Sequence, residues 1–302
     1  MDRFDAIKTL LAAVDGGSLS AASRNLGMPL PTVSRKLSEL EAHLGTQLLI
    51  RTSRRLLLTD AGTAFVQAGR LVIDQLEDAE RVASGEYRAP RGDLLVTASI
   101  MFGKLYVTPI VLDFLAAYPD VNVRLVMADH VINMLEHHVD AAVRIGRLPD
   151  SGLVATRVGE IHWLTCASPD YLARRGTPLR PADLQGHACV ALEGLVTARE
   201  WTFGFGDAHE TIIIEPRFAA NTAEAIIEAG LAGVGVVRLT SYQAAAAIRA
   251  GTLVAVLSDA RPEPLPVHLV HTGQALIPLK LRAFLEFARP RLKAQLAALT
   301  DI

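Results

Sequence analysis

The stretch "LSAASRNLGMPLPTVSRKLSELE", residues 19–41, limits the fold more than any other: two helix-length runs flank a Gly-Met-Pro-Leu-Pro breaker. Just upstream, Phe4, Ile7, Leu11 and Val14 recur at helical spacing, so residues 3–15 form an amphipathic helix that Gly16-Gly17 ends. Ser18 caps a second helix over 18–26, with Leu19, Ala22 and Leu26 inward and Gly27 as its stop. Pro31 suits the first turn of a third helix, where its missing donor costs nothing, and Val33, Leu37, Leu40 and Leu44 supply the buried stripe. Thr32, Ser34 or Arg35, Lys36 and Glu39 are left on the outer face. A tight turn between two helices, with short polar and cationic side chains opening the second, is what a helix-turn-helix needs to reach base edges and phosphates in a major groove.

The following segment, "LGTQLLIRTSRRLLLTDAG" (44–62), has two strand-length apolar runs, Leu48-Leu49-Ile50 and Leu56-Leu57-Leu58, around Arg51-Thr52-Ser53-Arg54-Arg55. This reads as a hairpin with a cationic tip, suited to lie on phosphates or in a minor groove. A solvated turn in a small helical interaction domain is the alternative. Charge distribution favours DNA: residues 1–58 carry eight Lys/Arg against five acids, a balance of +3 in a chain of net charge −2, so the remainder stands at −5.

Residues 4–62, from "FDAIKTLLAAVDGGSLSAASRNLG" through "TVSRKLSELEAHLGTQLLIRTSRRLLLTDAG", resemble the winged helix-turn-helix of the LysR-type transcriptional regulators almost without gaps. The resemblance places Thr32, Ser34 and Arg35 at the DNA and Arg54 and Arg55 in the wing. The whole candidate set is Ser20, Pro31, Thr32, Ser34, Arg35, Lys36, Arg51, Arg54 and Arg55. One departure matters. The family usually has a Ser or Thr cap followed by Gln before the proline of the third helix, and this chain has Pro29 and Leu30.

From Asp60 to about Tyr87 there is no proline, and Phe65, Val66, Gly69, Val72, Ile73, Leu76, Ala79 and Ala83 sustain a helical stripe, with Thr59 or Asp60 as cap. Such a helix beside a domain of under sixty residues does not bury its stripe alone, so a second copy is its natural partner. Folding back on its own domain is the alternative. The resemblance implies antiparallel pairing in a dimer that sets half-site spacing. Ala89-Pro90-Arg91-Gly92 breaks the helix and serves as a hinge.

Beyond residue 93 strand and helix patterns alternate, predicting parallel strands with crossover helices: "DLLVTAS", a helix over 103–117, "VNVRLVMA", a short helix over 131–137 and "DAAVRIG". "HWLTCAS" opens a second sheet, followed by the helix "SPDYLARRG". Then come "ACVALEG", Trp201-Thr202-Phe203, "TIIIEPRFAAN" read as one strand, a helix over 222–230, "GVGVVRL" and a helix over 241–250. "PLPVHLVHTG" returns to the first sheet and 278–298 closes the chain. The expected fold is α/β with an N-terminal winged helix-turn-helix (1–59), a long linker helix (60–88) and a two-lobed effector domain like a periplasmic binding protein (91–302). Lobe I takes about 91–162 and 269–302, and lobe II about 163–268. The resemblance extends here through "VTAS", "DAAVRIG" and "CASPDYL".

Anions are attracted where strands end and helices begin. Ser99-Ile100-Met101-Phe102 is one such corner, with Ser99 and nearby amides set to hold a carboxylate and Phe102 as an apolar wall. Asn221-Thr222 is the facing corner, flanked by Arg144-Ile145 and Ala167. The resemblance assigns Ser99, Ile100, Phe102, Ile145, Asn221 and Thr222 to an inducer cleft; a plain helix cap is the competing role for Ser99 or Asn221.

No GxSxG, P-loop or HExxH is present, so no cofactor is expected beyond a small-molecule effector. Gly230, Gly233 and Gly235 follow a helix and precede a strand, the reverse of a phosphate loop. His130, His137 and His138 lack metal-ligand spacing, and Cys166 and Cys189 read as two buried small apolar residues rather than a redox pair. Apolar runs are too short for a membrane span and the first residues lack a signal pattern, so a cytoplasmic protein is expected. The reading is a non-enzymatic regulator, a homodimer or homotetramer on an inverted-repeat operator of double-stranded DNA, touching RNA polymerase if it activates. Its rivals are an α/β enzyme with an accessory DNA domain and an effector-independent DNA binder.

Overall fold

Asp2 accepts from the Phe4 and Asp5 amides and so starts helix α1 (Arg3–Asp15), whose Ala6, Leu10 and Ala13 are fully buried. The computed structural model describes residues 2–51, 56–83, 89–193, 199–204, 206, 209–273 and 277–299. The chain divides into two compact units, Met1–Pro90 with Gln274–Arg282, and Arg91–Gly273 with Ala283–Ile302.

In the first unit Ser18 caps α2 (Leu19–Leu26), and Gly27, at φ 62°, takes the left-handed turn that ends it. Helix α3 (Leu30–Leu44) starts at Pro29 with no side-chain cap, and buries Val33, Leu37 and Leu40 against α1 and α2. Strands β1 (Leu49–Arg51) and β2 (Leu56–Leu58) pair antiparallel as the wing. Thr59 Oγ1 accepts from the Gly62 amide at 2.8 Å and starts α4 (Asp60–Ala83). At Gly62 an added Cβ would sit 2.0 Å from the Leu48 carbonyl oxygen, so this close approach requires glycine. α4 meets α1 through Gly69 against Ile7 and an Arg70–Asp15 ion pair, burying Val66 and Ile73 and leaving Val72 exposed.

The second unit carries two five-stranded sheets. The first has the order β4-β3-β5-β14-β6, from β3 (Gly92–Ala98), β4 (Val121–Met127), β5 (Ala141–Ile145), β6 (Leu153–Ile161) and β14 (Leu265–Thr272). β3, β4 and β5 are parallel, whereas β14 runs antiparallel to β5 and β6. β6 was not anticipated from sequence, and β14, running against its neighbours β5 and β6, makes the sheet mixed. The second sheet has the order β11-β8-β12-β7-β13, from β7 (Trp163–Ala167), β8 (Cys189–Leu192), β11 (Pro216–Ala220), β12 (Val236–Thr240) and β13 (Val254–Val256), with β7 antiparallel to β12 and β13. β9 (Glu200–Phe203) and β10 (Glu210–Ile213) form a separate hairpin. The expected single strand over 211–221 is therefore two: Pro216, which has no N–H to donate, opens β11 after the hairpin pairing has ended at Ile213.

Helices cover the sheets: α5 (Ile100–Phe102), one π-turn (Gly103–Val107) and α6 (Thr108–Ala117) run on from one another, then α7 (Pro169–Arg175), α8 (Ala223–Leu231), α9 (Ser241–Arg249) and α10 (Leu279–Ala297). The segment Ile100–Ala117 is long and apolar enough by composition to cross a membrane, yet it carries Lys104 and Asp113 and buries Phe102, Val107, Ile110 and Phe114 in this unit's core. Phe114 stacks edge-on against Phe284 of α10 at 5.3 Å. The helix expected over 131–137 is absent. Asn133 Oδ1 accepts from the Leu135 and Glu136 amides, and His138 adopts φ 49°, so the backbone closes a turn instead. Between α8 and β12, Gly233 has φ 68° and a Cβ on Gly235 would meet the Ala188 carbonyl oxygen at 2.3 Å, which makes this glycine cluster a packed turn.

Candidate nucleic-acid interface and effector sites

The turn between α2 and α3 is closed twice by Ser23: its hydroxyl donates to the Met28 carbonyl at 2.5 Å, and its carbonyl accepts from the Met28 amide at 3.1 Å. That fixes the start of α3, where Pro31 is exposed and Thr32 and Ser34 are half-buried. Arg35 is 66% exposed and, among the described residues, is held only by Glu39 one turn on, at 2.9 Å, so its guanidinium stands on the open face. Lys36 departs from expectation. Its ammonium pairs with Asp5 of α1 and touches Met28 Sδ at 3.3 Å, and with 19% exposure it braces the helices rather than joining Arg35 outside. Ser20 is exposed on α2; Arg54, Arg55 and the Arg51 side chain lie outside the described residues. Sequence reasoning missed Glu41, whose Oε1 accepts from the Leu48 and Leu49 amides at 2.9 and 3.0 Å and roots the wing.

At the first expected effector corner, Ser99 Oγ is buried beside the Tyr242 hydroxyl, and neither it nor the nearby Thr240 Oγ1 completes a hydrogen bond of full geometry. Two expectations change here. The Ile100 amide already donates to Asp129 Oδ1 at 3.0 Å, so an internal carboxylate occupies the place foreseen for a ligand's. Phe102 is fully buried, stacked on Tyr106 at 4.9 Å and edge-on to Tyr242 at 5.2 Å; it is core, not a wall. Met101 beside it is half-buried. Burial raises the Tyr242 phenol above its ordinary pKa and keeps it a proton donor.

Arg144 and Ile145 share β5, and Arg144 donates to the Ile132 carbonyl at 2.5 Å, with burial lowering its pKa. Ala167 is fully buried on β7 and has no surface to offer. Asn221 and Thr222 are exposed at the end of edge strand β11, where Thr222 Oγ1 caps α8 by accepting from the Ala225 amide at 3.4 Å. Among the described residues no hydrogen bond or ring contact joins this corner to Ser99.

A cavity of about 570 Å³ lies elsewhere, against β8, β9 and β12. Arg238, in the middle of β12, lines it beneath Trp163, Trp201 and Phe203, whose ring centres are 5.3, 5.9 and 5.2 Å from the guanidinium carbon. Arg238 donates to the Thr202 carbonyl at 2.6 Å, and burial alone pulls its pKa down to about 10. The available sequence signal was a lone cation inside the apolar run "VGVVRLT". Cys166 and Cys189 are buried thiols, pushed by desolvation up to about 12 and about 11. No group of three or more potential metal ligands occurs among the described residues.

A helix-turn-helix with Arg35 on the open face of its second helix, a wing, and a separate two-sheet α/β unit define a DNA-binding regulatory protein. Residues 4–63 match the family described as "Bacterial regulatory helix-turn-helix protein, lysR family", and residues 88–293 match "LysR substrate binding domain". The chain is 33% identical over 283 residues to an HTH-type transcriptional regulator of Xanthomonas campestris pv. campestris (strain 8004), covering 92% of this chain and 82% of that one. It is 30% identical over 284 residues to the HTH-type transcriptional regulator CrgA of Neisseria meningitidis serogroup B, covering 93% and 94%. The solved CrgA structure aligns with a TM-score of 0.62 at 30% identity, covering 95% of this chain and 98% of that one. Full-length AphB, a Vibrio cholerae virulence activator, gives 0.60 at 26%, with the same coverage. The chain belongs to the LysR-type transcriptional regulators, DNA-binding proteins whose second domain binds an effector.

Proposed function

We propose that this regulator grips an inverted-repeat operator as a homodimer or homotetramer, with one α3 per half-site, and that a small molecule bound in the second unit shifts the placement of the paired α3 helices. It works in the cytoplasm without cofactor or catalysis, and contacts RNA polymerase where it activates. The observation that carries the reading is the open face of α3, where Arg35 has, among the described residues, only the half-buried Glu39 as partner and is available to a phosphate or a guanine edge. The exposed Val72 on α4 supports pairing through that helix. Ser99 and its neighbours, with Asn221 and Thr222, serve as effector contacts in this reading, Ser99 Oγ being a buried hydroxyl without a hydrogen bond of full geometry.

The test is retention of the gene's own upstream DNA by the full-length protein across salt concentrations. Affinity falling steeply with salt is expected, and Arg35→Ala should weaken binding by about 1–3 kcal/mol and flatten the salt slope by about one. Retention that ignores salt, or an Arg35→Ala variant that binds as wild type, overturns the reading.

A further inference from the structure

We propose that the cavity over Arg238 is a binding site for a small organic monocarboxylate with a planar apolar body, the carboxylate paired with the Arg238 guanidinium and the body against the Trp163 and Trp201 indoles. The inference rests on reading the second unit as a small-molecule sensor, and it names the ligand class.

The argument starts from an unbalanced charge. Arg238 is partly buried, and among the described residues no carboxylate lies within ion-pair distance of it; its one described hydrogen bond goes to a neutral carbonyl, that of Thr202. Buried cations ordinarily have an acid beside them. Three aromatic rings within 5.9 Å give its π-faces partial compensation, but they leave the hydrogen-bonding edge of the guanidinium unfilled. One of five N–H donors is spent on Thr202, and the fork that remains matches a carboxylate.

The walls narrow the class. Arg147, just past β5, and Glu263, just before β14, pair with each other at 2.6 Å and cancel, while Glu200 adds negative charge to the same lining. Arg238 is thus the one cation of the lining with no acid at ion-pair distance among the described residues, which suits a single carboxylate, and Glu200 opposes a more highly charged anion. A volume of about 570 Å³ is that of a metabolite-sized pocket, and the indoles supply a flat apolar wall. Ser99, Asn221 and Thr222 do not line it, so the site is distinct from the strand-end corners. Because Arg147 and Glu263 belong to segments of the first sheet, a ligand here touches elements of both sheets.

The chain's two tryptophans both line this cavity, which makes intrinsic fluorescence a local reporter. Full-length protein is titrated with acetate, benzoate, phenylacetate and indole-3-acetate, each against its neutral amide, and operator retention is measured on the same samples. The expected result is a saturable fluorescence change with at least one aromatic acid, tenfold or more tighter than with its amide, and weakened tenfold or more in Arg238→Gln and less in Arg238→Lys. The acid–amide comparison needs no variant, so it stands even where a substitution unfolds the protein. Acids that bind no better than their amides, or no saturable response from any acid, overturn the site. Loss of salt-sensitive operator retention, with the fluorescence response intact, overturns the regulatory reading and leaves the site standing.

Discussion

Removing the Glu41 carboxylate should loosen the root of the wing selectively. Its Oε1 accepts from two consecutive backbone amides, those of Leu48 and Leu49, and both leucines are 2% exposed or less. Glu41→Ala leaves these donors facing a packed apolar cluster with no acceptor. A buried unsatisfied donor costs about 1–3 kcal/mol, so two, partly relieved by water, cost about 2–4 kcal/mol. Glu41→Gln keeps an acceptor oxygen and loses only the charge assistance, about 1 kcal/mol. Hydrogen exchange read at the Leu48 and Leu49 amides is the direct assay. At about 2 kcal/mol the alanine variant exchanges there about 30-fold faster, while the second unit's strands are unchanged. Operator affinity should fall alongside, because β1 and β2 carry the wing. Unaltered exchange at both amides in Glu41→Ala would show that the β1–β2 pairing alone holds the wing.

Cys166 and Cys189 have folded pKa values of about 12 and about 11 against an ordinary value near 9, so each thiol favours folding fully below pH 9. As pH rises from 9 toward those values, the unfolded chain ionises and the folded one does not. Stability then falls by up to about 1.4 kcal/mol per pH unit per thiol, and denaturation midpoints from pH 8 to 11 should fall less steeply in Cys166→Ala. Ser99→Ala removes a buried hydroxyl without a full partner, so thermal stability should hold or rise by up to about 1 kcal/mol. DNA binding should stay intact and the effector response should weaken; a normal response in reporter assays would remove Ser99 from the effector contacts.

Local signals carried the first unit. Ser18, Gly27 and Thr59 end or begin helices through contacts within a few residues, and the stripe Val33, Leu37, Leu40 needs only helical period to be seen. What failed was long-range. Lys36 looks like a groove-facing cation until Asp5, far back on α1, claims it. The Ile100 amide looks like a ligand donor until Asp129 arrives from beyond β4. β6, "LVATRVGEI", breaks apolar alternation with Thr156, Arg157 and Gly159, and becomes a strand because β14 pairs with it. Likewise the cavity is assembled from β8, β9 and β12, and no spacing rule joins Trp163, Trp201 and Arg238. Only Arg238 itself, a charge amid apolar neighbours, was visible in advance.

The start of α3 shows how a departure from family pattern is absorbed. Where relatives usually place a hydroxyl cap and a glutamine, Pro29 and Leu30 stand here, and the helix begins without a side-chain cap. Pro31 has no amide hydrogen and the Thr32 amide donates to the Pro29 carbonyl at 2.9 Å, so Leu30 holds the remaining donor of this turn. The helix end therefore offers little to a phosphate, and in the proposed reading recognition falls to Thr32, Ser34 and Arg35. Stability need not suffer: a cap is worth about 0.5–2 kcal/mol, and proline returns about 0.4–1 kcal/mol by restricting the unfolded chain. Pro29→Ser should accordingly shift the melting free energy by less than about 1.5 kcal/mol, while placing a hydroxyl beside the operator and changing which operator sequences are preferred in a selection from random DNA. An unchanged selected sequence would show that this position does not face the bases, and a larger loss of stability would show that the two prolines do more than replace a cap.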